Sequence, residues 1–79
     1  MVFLENITKE SNKISCNYSP ENSGEFGFVE VDIKTREYIS KKKTNYDSDT
    51  ETYIFKARCK LLDLAIKSPI PKESRVVWY

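Results

Sequence analysis

The side chains that could perform catalysis or bind a metal ion are few in this 79-residue sequence. Histidine, the commonest general base at neutral pH and the commonest metal ligand, is absent. The two cysteines, Cys16 and Cys59, are too far apart for a C-x-x-C motif, and the only two glycines cannot build a phosphate-binding loop. We therefore expect a protein that is not an enzyme and that has no catalytic, cofactor or metal site.

An acidic segment at residues 47–51 begins like a calcium-binding loop, but Thr52 stands where that loop requires glycine. The same segment contains Ser48-Asp49-Thr50-Glu51, which has the spacing of a capping box. In that motif the serine and glutamate side chains accept hydrogen bonds from free amide groups at the start of a helix. We therefore predict that a helix begins here and that the acidic residues belong to its first turn.

Aromatic and basic side chains offer a second chemistry, the binding of nucleic acid. Phe26 and Phe28 alternate with the core residues of a predicted strand, so they should project from the opposite sheet face, where they could stack on bases. The basic candidates for phosphate contacts are Lys41, Lys42, Lys43, Lys56 and Lys60. Against this hypothesis, the formal net charge is only +1, and Glu30 and Asp32 share the face of the two phenylalanines. Nucleic-acid binding is therefore our alternative prediction.

The segment Lys56–Leu62 follows three predicted strands and resembles the last helix of double-stranded-RNA-binding domains, in which an Ala-Lys pair precedes apolar residues. This resemblance implies contact between the helix and RNA. The N-terminal helix of that family has no counterpart here, and residues 75–79 follow the helix with which that family ends. We therefore assign the chain to no family.

Length and composition predict one small folded domain spanning residues 1–79. Hydrophobic residues make up 39% of the chain and charged residues 32%, which is too much apolar material for a disordered chain. No apolar run approaches the roughly 18 residues of a membrane span, and Glu5 and Asn6 interrupt the apolar start of the chain. With two cysteines interpreted as reduced thiols, we expect a cytoplasmic protein without membrane contact; an extracellular disulfide is the alternative.

Alternation of apolar and polar residues predicts three antiparallel strands, at residues 12–18, 26–34 and 38–44. The predicted core face of the first two consists of Ile14, Cys16, Tyr18, Gly27, Val29, Val31 and Ile33. Residues 1–11 show no clear period, so they could form an edge strand or a partly ordered arm.

The predicted helix continues to about Lys67, because Pro69 and Pro71 cannot extend it. The β-branched and aromatic residues at positions 75–79 predict a last strand. The order is therefore βββαβ. It corresponds to a small two-layer α+β domain, with an antiparallel sheet of three to four strands and one helix packed on one face.

The predicted helix has more apolar surface than one sheet normally covers. Its polar stripe consists of Lys56, Lys60, Asp63 and Lys67. Either residues 1–11 and the loop at 69–71 cover the apolar flanks, or one flank binds a partner or a second copy of the chain. Arg58 lies inside the apolar arc, where it could extend to water or bind a phosphate or carboxylate of a partner.

A protein–protein interaction or regulatory module is our principal functional prediction, with an unidentified protein or a second copy (a homodimer) as the partner. The contact candidates are Phe26, Phe28, Tyr38, Arg58 and Trp78. Two aromatic side chains on an uncovered sheet face would form an apolar patch of the kind that marks contact surfaces. The competing prediction is that residues 1–10 fold over Phe26 and Phe28 and make them part of the core.

Overall fold

The predicted sheet and helix pack as two layers in the computed structural model, which describes residues 1–78. The strands are β1 (Val2–Glu10), β2 (Lys13–Pro20), β3 (Gly27–Asp32), β4 (Tyr38–Lys42) and β5 (Ser74–Val76), and the helix is α1 (Thr52–Leu64). Within these residues the strands form one antiparallel sheet in the order β4-β3-β2-β1-β5. The α+β two-layer prediction is confirmed, with five strands in place of three to four.

Residues 2–10 form an interior strand, rather than an edge strand or a partly ordered arm. β1 lies between β2 and β5, and its pairing with β2 shifts register between Glu5 and Thr8. Asn6, at this shift, has a φ of 54°, a left-handed value that asparagine adopts more readily than most residues. Because of the irregularity, Leu4 and Ile7 are both buried although they are three positions apart, and the sequence shows no period of two.

The core lies between α1 and one face of the sheet. It is built from Val2, Leu4, Ile7, Ile14, Cys16, Tyr18, Val29, Val31, Ile54, Ala57, Leu61, Leu62, Leu64 and Ala65. Gly27 is buried and Ile33 packs against this cluster, so the core face predicted for the first two strands is the one that α1 covers. The broad apolar surface of α1 therefore packs on β2 and β3 and also on β1, for which the local pattern predicted no single structure. Phe55 and Ile66 stay exposed.

The helix begins at Thr52, so the predicted capping box does not form. Glu51 occupies the N-cap position without a side-chain cap hydrogen bond, and Ser48 is the C-cap of a preceding 3-10 helix, Asn45–Asp47. The amide group of Tyr53 instead donates to Oδ1 of buried Asp47 at 2.9 Å. Tyr18 holds the Asp47 carboxylate in this position, so a contact from a distant strand replaces the local capping pattern.

The helix ends at Leu64, three residues before the predicted Lys67. The amide of Lys67 donates to the carbonyl oxygen of Leu64 at 3.0 Å, which is the tighter spacing of a 3-10 turn. Nζ of Lys9 donates to the carbonyl oxygen of Ala65 at 3.3 Å and so places a cation at the helix C-terminus. The last turn is thus stabilised by β1.

The last strand is shorter than predicted. β5 spans Ser74–Val76 and pairs with the start of β1. Trp78 leaves the sheet and packs on α1, with its ring centroid 5.6 Å from that of Tyr53. Tyr79, the last residue of the predicted strand, lies outside the described residues.

Candidate functional site

The sheet has an open face, which we define as the side turned away from α1. Side chains alternate along a strand, so the residues between the core positions of β1, β2 and β3 point to this side. Glu5, Asn17 and Phe28 are half-buried there. Because β1 lies within the sheet, residues 1–10 do not fold over Phe26 and Phe28, and the prediction that they form a lid is wrong.

Four residues form a row across the open face. The sheet register places Glu5 beside Asn17, Asn17 beside Phe28 and Phe28 beside Lys42. Together with Phe26 and Gly27, they line an open groove of about 390 Å³, which we call the open-face groove. Phe26 is 47% exposed. The groove therefore combines two accessible aromatic side chains with a carboxylate on β1 and an ammonium group on β4.

Two further acidic residues, Glu30 and Asp32, point to the open face. Oδ1 of Asp32 accepts hydrogen bonds from the amide groups of Lys34 and Thr35, each at 2.8 Å. The bond from the Thr35 amide contributes most to holding the pKa of the Asp32 carboxyl below its ordinary value. One oxygen of this carboxylate is therefore used to stabilise the turn between β3 and β4.

Tyr38 and Arg58 lie on the helix side of the sheet, at the turn between β3 and β4. Nε and Nη2 of Arg58 donate to the carbonyl oxygen of Arg36 at 3.0 and 2.5 Å. The guanidinium group lies 5.4 Å from the centroid of the Tyr38 ring. Arg58 thus uses two of its donors to hold a turn in which Arg36 has a φ of 68°.

The five predicted contact residues therefore lie in three places. Phe26 and Phe28 share the open-face groove. Tyr38 and Arg58 pack together at the β3–β4 turn, and Trp78 packs against α1. Of these three places, the open-face groove is the one in which aromatic rings lie beside charged groups of two other strands, Glu5 on β1 and Lys42 on β4.

The lysines of the nucleic-acid hypothesis do not form a continuous surface. In the run Lys41–Lys43, the outer two ammonium groups each lie 3.4 Å from the carboxylate of Glu51, whereas the middle one borders the open-face groove. The hydrogen bond from the first of these lysines lowers the pKa of Glu51. Lys56 and Lys60 lie in the other layer, on α1.

A buried hydrogen-bond network, which no sequence pattern indicated, connects the two layers. The Tyr18 hydroxyl donates to Oδ2 of Asp47 at 2.7 Å and accepts from the amide of Thr44 at 3.2 Å. Desolvation and the bond to Asp47 raise the pKa of Tyr18, so its hydroxyl keeps its proton. Alternation along β2 predicts that Tyr18 points inward, but no local signal identifies Asp47 as its acceptor. The network positions the start of α1 and has a structural role.

Both cysteines are free thiols, but their surroundings differ. Cys16 is buried in β2, and burial raises the pKa of its thiol to about 12. Cys59 lies on α1 and is half-buried. Since a thiolate is the reactive form, the two thiols should differ in reactivity.

We predict that one thiol per folded chain, Cys59, reacts rapidly with a disulfide reagent at about pH 8. Cys16 should react only after unfolding, because burial favours its neutral form. Burial raises the pKa of the Cys16 thiol from 9.0 to about 12. The stability that the neutral buried thiol contributes is therefore fully present below pH 9.0 and is lost as the pH rises toward about 12. The Cys59→Ser variant is the control and should show no rapid reaction. Rapid labelling of Cys16 in that variant would contradict the prediction.

No family model, curated protein or solved structure proved similar to this chain. Within residues 1–78, no group of three or more metal-binding side chains is close enough to hold an ion. In the same residues, no helix has the length and apolar character needed to cross a membrane.

Proposed function

We propose that this domain is a protein–protein interaction or regulatory module that binds its partner through the open-face groove. The observation that carries the proposal is the position of Phe26 and Phe28 on a sheet face that α1 does not cover. Covering apolar surface contributes roughly 25 cal/mol per Å², so a partner that encloses both rings would gain binding free energy. Glu5 and Lys42 would orient that partner, since charges favour one docking register over others.

The charges of this face favour a protein over a nucleic acid as the partner. Glu5, Glu30 and Asp32 point to the open face, where Lys42 is the only member of the lysine run. Lys13 also lies on this face, but the carboxylates still outnumber the ammonium groups there, so the face would repel phosphate groups. We expect little retention of the domain on heparin or single-stranded DNA. Strong retention that falls with rising salt and is lost in Lys42→Ala would favour the nucleic-acid alternative.

We also propose a cytoplasmic location. The two free thiols support this proposal, because thiols persist in a reducing compartment. A fractionation experiment with an antibody to the natural protein tests it, and recovery in an oxidising compartment would contradict it.

A photo-cross-linker on the open face tests the proposed binding surface directly. A benzophenone side chain is placed at Ser40, which lies beside Glu30 on this face and is exposed. A matched cross-linker at Asp63, exposed on α1, serves as the control. We expect specific adducts in a lysate of the source cells from Ser40 and none from Asp63. Adducts from Asp63 alone would show that the binding surface is the helix layer.

We predict that Phe26→Ser combined with Phe28→Ser abolishes the Ser40 adducts and leaves the domain folded. Both rings lie on the open face and outside the core cluster, so the cost to the free energy of unfolding should stay below about 2 kcal/mol. The matched control is Phe55→Ser, because Phe55 is 49% exposed but lies on α1. This control should leave the adducts unchanged. Unchanged adducts from a folded double variant would contradict the proposal.

A further inference from the structure

We propose that the partner at the open-face groove is a second copy of this chain, packed sheet against sheet about a twofold axis. The axis runs along the strands, midway between β2 and β3. This inference rests on the proposed function and names the partner of the same surface. It follows from the charge pattern of the row that crosses the groove.

The row is complementary to itself under this rotation. A twofold axis between β2 and β3 places β1 opposite β4 of the second copy and β2 opposite β3. Glu5 on β1 then lies opposite Lys42 of the partner subunit, and the symmetry repeats the pair. Among residues 1–78, neither charge forms an ion pair within its own chain. Both are therefore free to pair across the interface.

The open-face positions of β2 and β3, which lie next to the axis, fit the same rotation. In the row itself, each Phe28 ring lies opposite Asn17 of the partner subunit, so two apolar rings flank the axis. In a second row, Lys13 on β2 lies opposite Asp32 of the partner subunit. Glu30 on β3 faces Ser15 of the partner subunit, which carries no charge. These positions add opposite-charge or neutral contacts around the centre.

The edges of the sheet oppose the other common mode of strand association. β4 carries consecutive lysines at its exposed edge, and its pairing with β3 shifts register between Glu30 and Val31. Lysines and register irregularities at an edge strand disfavour edge-to-edge pairing. The opposite edge, β5, has only three residues. The edges therefore favour face-to-face packing over edge-to-edge pairing. Stacked sheets keep their strands within about 30° of each other, which agrees with an axis along the strands.

Charge reversals at the two ends of the row test the proposal with the full chain. Sedimentation equilibrium of the wild type should show the mass rising from 9.3 kDa toward twice that value with concentration. Glu5→Lys places two lysines opposite each other at both ends of the row, and Lys42→Glu does the same with two glutamates. Each variant alone should therefore have a dissociation constant at least about tenfold higher than the wild type.

An equimolar mixture of the two variants is the decisive sample. In a mixed dimer, the introduced lysine of one chain faces the introduced glutamate of the other. At the second contact, the native Lys42 of the first chain faces the native Glu5 of the second. The mixture should therefore sediment with the mass of a dimer. Matched controls reverse exposed charges on the helix side. Asp63→Lys is the control for Glu5→Lys, and Lys67→Glu is the control for Lys42→Glu, because each pair changes the net charge equally. Both controls should associate like the wild type. Thermal unfolding of every variant confirms that it is folded.

Three results would overturn the proposal: a wild type that stays at 9.3 kDa at all concentrations, single variants that associate normally, or a mixture that stays monomeric. The first result together with a heavier Ser40 adduct of another mass would retain the proposed function with a different protein as the partner. The first result without any Ser40 adduct would overturn both.

Discussion

Gly27→Ala should lower the free energy of unfolding by about 3 kcal/mol or more, because the position has no space for a methyl group. A Cβ atom at Gly27 would lie 2.5 Å from the carbonyl oxygen of Lys42 and would overlap the ring of Tyr18. The carbonyl belongs to the end of the neighbouring strand, and the ring is fully buried. Neither can move without disturbing the sheet or the core, so the strain should remain in the folded state.

Urea unfolding of Gly27→Ala and Gly24→Ala measures this effect against a matched control. Gly24 has a φ of +83° and no neighbour within 4 Å of an added Cβ. Its substitution should cost about 1 kcal/mol, from backbone strain alone. If Gly27→Ala is no more destabilising than Gly24→Ala, the predicted steric conflict of a Cβ atom with the Tyr18 ring and the Lys42 carbonyl is wrong.

Asp47→Ala should destabilise the domain by about 3 kcal/mol, because it leaves one buried donor and one partly buried donor without an acceptor. Oδ2 of Asp47 accepts from the Tyr18 hydroxyl at 2.7 Å, and Oδ1 accepts from the Tyr53 amide at 2.9 Å. Asp47 is 1% exposed, so water cannot readily replace the carboxylate. Circular dichroism during thermal and urea unfolding measures the loss.

Two comparisons separate the Asp47 network from a general effect of lost charge. Asp49→Ala removes an exposed carboxylate two positions away and should change stability by less than about 0.5 kcal/mol. Tyr18→Phe with Asp47→Ala should cost less than the sum of the single variants, because both remove the same hydrogen bond. Additive costs would show that the bond contributes little to stability.

The regular strands were predictable because their side-chain pattern is local. Ile14, Cys16 and Tyr18 alternate with polar residues, and steric constraints on an extended chain send alternate side chains to opposite faces. The same alternation predicts that Phe28 points away from the core face of Val29. β1 was not predictable in this way, because the register shift beside Asn6 breaks the period.

The start of α1 shows how a distant contact can replace a local signal. The sequence Ser48-Asp49-Thr50-Glu51 has capping-box spacing, yet the Tyr53 amide bonds to Asp47 and the helix begins at Thr52. This acceptor is held by a strand residue that lies 29 positions earlier in the chain. Capping preferences of about 1 kcal/mol are too small to determine a boundary when a buried network competes with them.

The sequence by itself determined the α+β class, the inward faces of β2 and β3 and the outward direction of two phenylalanines. Each of these follows from the spacing of residues a few positions apart. Only the tertiary structure decided that β1 joins the sheet and that Glu5, Asn17, Phe28 and Lys42 form one row. The register between strands depends on long-range pairing, which burial of the whole core selects and which no local pattern encodes.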